Sequence, residues 1–425
     1  MGISRFNHKN RSATLQRCKN SIRVFGILSF LLFFQVAVPS LPAQKFKLNG
    51  EYGLWVQEAN GQLEVHWITS AADSGFLTVY NDGERHYHFT TPSAQAHRVA
   101  FARNPRAALT LRYGSLMDTP DQHETTIYPD PQRPTATFSN VDSIFVLGDI
   151  HGQFDNVVQL LTAAKLIDAQ LNWIGSKQHL VVLGDMFDRG HDVTRVLWFL
   201  YKLEKSIEQR GGKLHIVLGN HEIMTFCNDL RYLSGKENLI AATHGAGYSE
   251  MYHPRRSIIG KWLATKPGLL KIDEVLFAHG GVTPAFANYS IQSFNDSLSA
   301  FLNEESLRYL LDDSLSVVKM DSVRHARRLL FFFADNSVFW YRGYVTTDTL
   351  QGDLQYVLKK FKSELQVVGH TPVPTITPFY AGNVIAANVV NFVSEMLLLV
   401  RSGKKKYQRY RYKMTGEVEP LEIQQ

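Results

Sequence analysis

The chain has 425 residues, enough for two or three domains of ordinary size and a sizeable buried core, which excludes a peptide module. Hydrophobic residues at 44%, charged residues at 20% and aromatics at 12% exclude a disordered, collagenous or polytopic membrane chain. The net charge of +6 resides in residues 1–43, where Arg5, Lys9, Arg11, Arg17, Lys19 and Arg23 stand without an acidic residue; the remainder carries 39 basic against 39 acidic residues, so charge gives no support to a nucleic-acid partner.

Residues 1–23 are basic and residues 24–34 form an apolar run, shorter than the ~20 residues a spanning helix needs. That order is the n-region and h-region of a signal peptide, with Ala43 before Gln44 as the cut and Ser40 as a second option. The expected location is therefore outside the cytoplasm, periplasmic or secreted. Leu41 is larger than the residue preferred three before that cut, so an uncleaved signal anchor is the alternative, and a membrane partner is expected only in that case. Of the two cysteines, Cys18 lies in the leader and Cys227 is alone in the body, so no intrachain disulfide joins the body.

From residue 44 to 128 the pattern is short and period-two, with strands at 63–69, 76–80, 86–89, 98–101 and 109–113 separated by turns such as Asn81-Asp82-Gly83. The rhythm is that of a small all-β sandwich, vaguely similar to a fibronectin type III module, and carries no chemistry. Prolines 120, 129, 131 and 134 then mark a linker, placed at residues 129–140. Beyond it strands alternate with helices: a strand at 143–147, a helix at 154–166, a strand at 180–183, a helix at 193–207 and a strand at 214–218. Further strands follow at 275–278, 366–368, 396–400 and 407–414, with Lys404, Lys405 and Lys406 in a solvated turn. This predicts an α/β layered domain over residues 141–425.

Three successive strands end alike, in Val146-Leu147-Gly148-Asp149, Val182-Leu183-Gly184-Asp185 and Val217-Leu218-Gly219-Asn220. Each delivers an oxygen ligand at the carboxyl edge where such sheets bind ligands. Each is followed by a second polar group: His151, the pair Asp188-Arg189, and His221. Two later strands end in His279 and His370. Singly, a buried histidine is ordinarily a core residue and an aspartate after a strand a cap. Together, Asp, His, Asp, Asn, His and His at strand ends make an oxygen and imidazole set suited to a pair of divalent transition ions rather than Ca²⁺ or a lone zinc.

The blocks Gly148-Asp149-Ile150-His151-Gly152, Gly184-Asp185-Met186-Phe187-Asp188-Arg189-Gly190 and Gly219-Asn220-His221-Glu222 resemble the three signatures of the phosphoprotein phosphatase family within the calcineurin-like metallophosphoesterases. Asp229-Leu230-Arg231-Tyr232, Gly260-Lys261-Trp262-Leu263, His279-Gly280-Gly281 and Phe339-Trp340-Tyr341-Arg342-Gly343 look like the bacterial Shewanella-like subgroup. The resemblance covers residues 143–388 and implies a sandwich of two mixed sheets flanked by helices. Ala386-Ala387-Asn388-Val389 departs from it, where a more acidic or glycine-bearing strand end is expected.

The chemistry of the set, with assignments taken from the resemblance, makes Asp185 the carboxylate shared by two ions. One ion adds Asp149 and His151; the other adds Asn220, His279 and His370. Two ions about 3.5–4 Å apart hold a bridging water acidic enough to supply the hydroxide that attacks phosphorus in line. Arg189 and Arg342 hold the phosphoryl oxygens, and His221, oriented by Asp188, protonates the leaving oxygen. The metals expected are Mn²⁺ first, with an iron and zinc pair as the alternative. The implied activity is hydrolysis of phosphomonoesters, with phosphorylated proteins or small molecules as substrates. A nucleotide or dinucleoside polyphosphate hydrolase is the second reading, and a surface-binding protein with a silent phosphatase domain a third. Cys227 reads as a structural thiol, His179, His215, His244 and His253 lack ligand spacing, and residues 407–412 read as a strand face.

Overall fold

The structure, a computed structural model, describes residue 46, residues 48–304, 322–403 and 406–422, without side chains at 322–326. The expected leader with its cleavage point and Cys18, and two of the three lysines of the expected turn, Lys404 and Lys405, lie outside the described residues. The strands are β1 (Trp55–Ala59), β2 (Gln62–Asn81), β3 (Glu84–Ala102), β4 (Leu109–Ser115), β5 (Gln122–Ile127), β6 (Thr137–Phe138), β7 (Ser143–Leu147), β8 (His179–Val182) and β9 (Lys213–Ile216). They continue with β10 (Leu269–Ile272), β11 (Val275–Ala278), β12 (Leu365–Val368), β13 (Thr377–Phe379), β14 (Val384–Ala386), β15 (Glu395–Arg401), β16 (Tyr407–Lys413) and β17 (Val418–Pro420). The helices that bear on the site are α1 (Phe154–Ala163), α2 (Val193–Gln209), α3 (Asn220–Phe226), α4 (Gly235–His244), α5 (Tyr248–Met251) and α6 (Ile258–Leu263). Among the described residues no helix is long and apolar enough to cross a membrane.

The first five strands make one antiparallel sheet. β2 is long because the chain does not turn between the two apolar stretches at 63–69 and 76–80: a register shift between Ile68 and Asp73 carries the strand through the polar residues. β3 follows it along its whole length. Trp67, fully buried, reaches from β2 to donate its indole N–H to the Gly114 carbonyl of β4 at 3.3 Å. The stretch after Tyr128 is not all coil, since β6 adds a parallel edge to β10.

The rest of the chain builds two six-stranded sheets, ordered β13-β14-β12-β11-β10-β6 and β17-β16-β15-β7-β8-β9. Their facing sides share one core, in which Ile144, Val146, Val181, Leu183 and Leu397 meet Leu270, Phe277, Val367 and Ile385. Strands buried on both faces have no polar side to display, which is why these segments read as uninterrupted apolar runs. Helix α2 buries Val193, Val196, Leu197, Leu200, Leu203 and Ile207, a spacing of three and four residues that lays one face on the sheet.

The amino-terminal sheet belongs to the same compact unit as the two larger ones, Lys47–Gln425. β1 forms an antiparallel bridge from Gln57 to Ser257, and the Glu58 N–H donates to Arg256 O at 2.8 Å. Trp198 of α2 donates to Leu54 O at 3.1 Å, and Lys261 pairs with Glu58 at 2.8 Å and Asp130 at 2.7 Å.

Candidate metal centre

Strand direction decides where the polar ends gather. β7, β8 and β9 are parallel and in register, Leu147 beside Val182 beside Ile216, so the residues that follow them leave at one edge. β11, β12 and β14 are likewise parallel, Ala278 beside Val368 beside Ala386. The structure thus brings Asp149, His151, Asp185, Asn220, His279 and His370 together, every one of them buried.

Asp185 is at the middle. Its Oδ2 lies 3.2 Å from His279 Nε2, 3.8 Å from His151 Nε2 and 3.7 Å from His221 Nε2, and its Oδ1 accepts the His221 backbone N–H at 3.0 Å. His279 Nε2 also meets Asn220 Oδ1 at 2.9 Å. The second ring nitrogens are fixed by backbone carbonyls: His151 Nδ1 donates to Phe187 O at 2.8 Å and His279 Nδ1 to Leu183 O at 2.6 Å. That leaves each Nε2 aimed at the centre as a potential ligand.

Glycine before a ligand is a matter of space. A Cβ on Gly219 would stand 2.2 Å from Asp185 Oδ1, and one on Gly369 would stand 2.5 Å from Asp149 Oδ1.

The charges around the centre are unbalanced in the way a cation corrects. Burial, aided by the neighbouring Asp185 carboxylate, raises Asp149 to about 7. Burial opposes ionisation of Asp185 as well, but His279, His221 and His151 outweigh it and hold that carboxyl well below the usual range. Burial drives His151 to about 3 and His370 well below its ordinary value, leaving both as neutral imidazoles. His279 goes the other way, to about 9, because Asp185 and Asp149 overcome its burial.

Two sets of three donors, His151, Asp185 and His221 and then Asp185, His279 and His370, each converge to within 4.8 Å. His370 Nε2 is buried in the second set with no hydrogen-bond partner among the described residues, a cost of about 1–3 kcal/mol unless something fills the gap. A mixed carboxylate and imidazole set with an orphaned ring nitrogen fits a pair of divalent ions, and these residues can hold metal.

Beside the centre, His221 Nδ1 meets Asp188 Oδ2 at 2.6 Å, and both side chains are buried. Burial opposes a proton on His221, but Asp185 and Asp188 raise its pKa above the ordinary histidine value. Arg189 is exposed, its guanidinium 5.8 Å from the centre of the Tyr232 ring, and its backbone N–H donates to Tyr232 O at 3.0 Å. Arg342 is exposed and donates to His370 O at 3.0 Å.

Two residues outside the predicted set hold the ligands. Glu222, fully buried, accepts the N–H groups of Gly219, Asp185 and Met186 at 2.7, 2.8 and 2.7 Å, fastening two ligand loops together. Asn388 donates to Asp149 Oδ2 at 2.6 Å, while the His370 N–H takes Oδ1 at 3.0 Å. Asn388 lies in the stretch, Ala386-Ala387-Asn388-Val389, at which the sequence departs from the resemblance; it follows β14, beside the end of β12, and a carboxylate there would face Asp149. Cys227 is buried. His179 and His215 pair with each other at 2.9 Å, and His244 meets Gly53 O at 2.8 Å.

Residues 143–374, more than half of the chain, match the calcineurin-like phosphoesterase family model. The crystal structure titled as a cold-active protein-tyrosine phosphatase of a psychrophilic Shewanella species is 26% identical with a TM-score of 0.68, covering 87% of this chain and 99% of that one. Shewanella-like protein phosphatase 1 of Plasmodium berghei is 27% identical over 246 residues, 55% of this chain and 62% of its own length. Shewanella-like protein phosphatase 2 of Arabidopsis thaliana is 36% identical over 113 residues, 25% of this chain and 29% of its own. The match thus spans less than two thirds of these two curated relatives. With the match over residues 143–374, the chain belongs to the calcineurin-like phosphoesterase family.

Proposed function

We propose that the protein hydrolyses phosphomonoesters and that phosphorylated proteins are its substrates. The observation that carries this reading is the convergence of His151, His221, His279 and His370 on Asp185, with Asp188 against His221. Asp149, His151, Asp185, Asn220, His279 and His370 would hold two divalent ions, Mn²⁺ first. When bound, such a pair supplies an activated water and neutralises charge on the phosphoryl group. The chain's own residues do the rest. Arg189, exposed beside the centre, and Arg342, anchored by His370 O, bind phosphoryl oxygens and orient phosphorus. His221, as the imidazolium, carries a proton on Nε2 toward the leaving oxygen, and Asp188 accepts from Nδ1–H, orienting the ring and favouring its charged form. The names of the relatives, two protein phosphatases and a protein-tyrosine phosphatase, favour phosphoproteins over small molecules. The second reading, a dinucleoside polyphosphate hydrolase, has support in a Vibrio campbellii bis(5'-nucleosyl)-tetraphosphatase, 25% identical over 174 residues.

Turnover of a phosphopeptide library by the Mn²⁺-loaded protein, with para-nitrophenyl phosphate and diadenosine tetraphosphate as controls, tests the reading. Faster cleavage of phosphopeptides supports it; faster cleavage of the dinucleotide installs the second reading; no turnover of any of the three contradicts both. We further infer export directed by residues 1–43. N-terminal sequencing from the native host should find Gln44 first in an extracytoplasmic fraction, and intact Met1 in the soluble cytoplasm would overturn this.

A further inference from the structure

The loop that carries Arg189 runs into α2 through Gly190, His191 and Asp192, and Asp192 is where it is tied down. The Asp192 N–H donates to Gly152 O at 3.3 Å, in the loop of His151. Its carboxylate receives two cations: Lys236 Nζ at 2.7 Å on Oδ1 and Arg195 at 3.4 Å on Oδ2. Lys236 is buried and Arg195 nearly so, so two positive head groups converge on one carboxylate away from bulk water. Such a cluster is stable only if something balances the surplus positive charge. Part of the balance comes from Asp155 of α1, 3.7 Å from Arg195, and part from the segment just before β1. Glu51 accepts from Arg195 Nε at 2.7 Å, and the Tyr52 ring lies 3.3 Å from Lys236 Nζ and 5.2 Å from the Arg195 guanidinium. Arg195 is held from its other side by the ring of Phe154, 3.9 Å away at the start of α1. One tyrosine of the amino-terminal segment therefore faces both cations that grip the arginine loop.

We propose that Tyr52 is a positioning residue for phosphate binding: its ring, with Glu51 beside it, holds Lys236 and Arg195 on Asp192 and so sets the place of Arg189, three residues earlier. This gives the amino-terminal sheet a part in substrate recognition, and it rests on the phosphatase reading above. Arg189 itself has an exposed side chain with Tyr232 for a neighbour, so its position depends on how firmly its backbone is fixed.

The test uses the full-length, Mn²⁺-loaded protein with para-nitrophenyl phosphate as substrate and inorganic phosphate as competing anion. Tyr52→Leu should raise both KM and the phosphate inhibition constant by about 3- to 10-fold, the range a partly desolvated cation–π contact implies, with metal content unchanged. Tyr52→Phe keeps the ring and should match the parent. Glu51→Gln, a half-exposed and fold-safe change, should move both constants in the same direction by less. Glu58→Ala, which breaks the Lys261 contact elsewhere on the same interface, should lower Tm without moving the inhibition constant. In an Arg189→Ala background, Tyr52→Leu should have no further effect. Parent-like constants for Tyr52→Leu and Glu51→Gln, or equal rises for Glu58→Ala, would overturn the proposal. No turnover of para-nitrophenyl phosphate by the parent would sink the phosphatase reading and the proposal with it; if the parent turns over and Arg189→Ala leaves phosphate inhibition unchanged, the proposal alone fails, and if Arg189→Ala raises the constant and Tyr52→Leu does not, only the role of Tyr52 is lost.

Discussion

Asn388 donates to one oxygen of Asp149 while the His370 backbone takes the other, so Asp149 is oriented by two residues from neighbouring strand ends. Outer partners of ligands of this kind are worth about 10–100-fold in metal affinity. Asn388→Ala should therefore weaken Mn²⁺ activation by that factor with near-normal turnover at saturating metal; unchanged affinity would show that Asp149 needs no such support. In the proposed reaction His221 protonates the leaving oxygen. His221→Ala should slow an alkyl phosphate by about 10²–10⁴ and para-nitrophenyl phosphate less, because its phenolate leaves unaided. Asp188→Asn should follow with a smaller effect, whereas equal slowing of both esters at constant metal content would remove the acid role. At this scale most of the site was readable: Asp149, Asp185 and Asn220 each follow an apolar strand and a glycine, a local signal. Asn388 was not, because its partner is 239 residues away and its own neighbours, Ala387 and Val389, say nothing of a ligand.

At the scale of elements, helix α2 begins against a buried acid. Glu237 of α4, fully buried, accepts the Val193 N–H at 3.1 Å and the Thr194 hydroxyl at 3.3 Å. Burial raises its carboxyl to about 8, against about 4.3 in an unfolded chain. Between those values the native state keeps a proton that the unfolded state has released, so stability falls as pH rises through that window. Glu237→Gln preserves an acceptor without the charge. Urea midpoints should favour the variant increasingly from pH 5 to pH 8, and parallel profiles for the two proteins would contradict a protonated Glu237. The elements themselves were legible where one period ruled, as in α2, and misleading where two apolar stretches joined: the polar residues between Thr69 and Phe76 read as a turn, whereas β2 passes through them by a bulge. A bulge is a mismatch in pairing, two residues against one on the partner strand, and so is read from the pairing.

On the scale of the whole molecule, the amino-terminal sheet is joined to the phosphoesterase part by a strand bridge, the Trp198 indole hydrogen bond and ion pairs, from Gln57–Ser257 to Lys261–Glu58. We propose that the chain unfolds as one unit: calorimetry should show a single transition at which far-UV and near-UV signals coincide, and a separate early transition would mean that the sheet stands alone. The period-two rhythm and the proline cluster at 120–134 mark a β module and a linker, but the side chains of α2 and α6 that receive the module, Trp198 and Lys261, carry no such signal in the sequence. The account as a whole rests on two ions held around Asp185. Titrating Mn²⁺ into metal-free protein while measuring bound metal and turnover on para-nitrophenyl phosphate tests it most directly: turnover should rise to saturation at two ions per chain and be lost by orders of magnitude in Asp185→Asn, whereas full turnover with less than one ion bound per chain would contradict it.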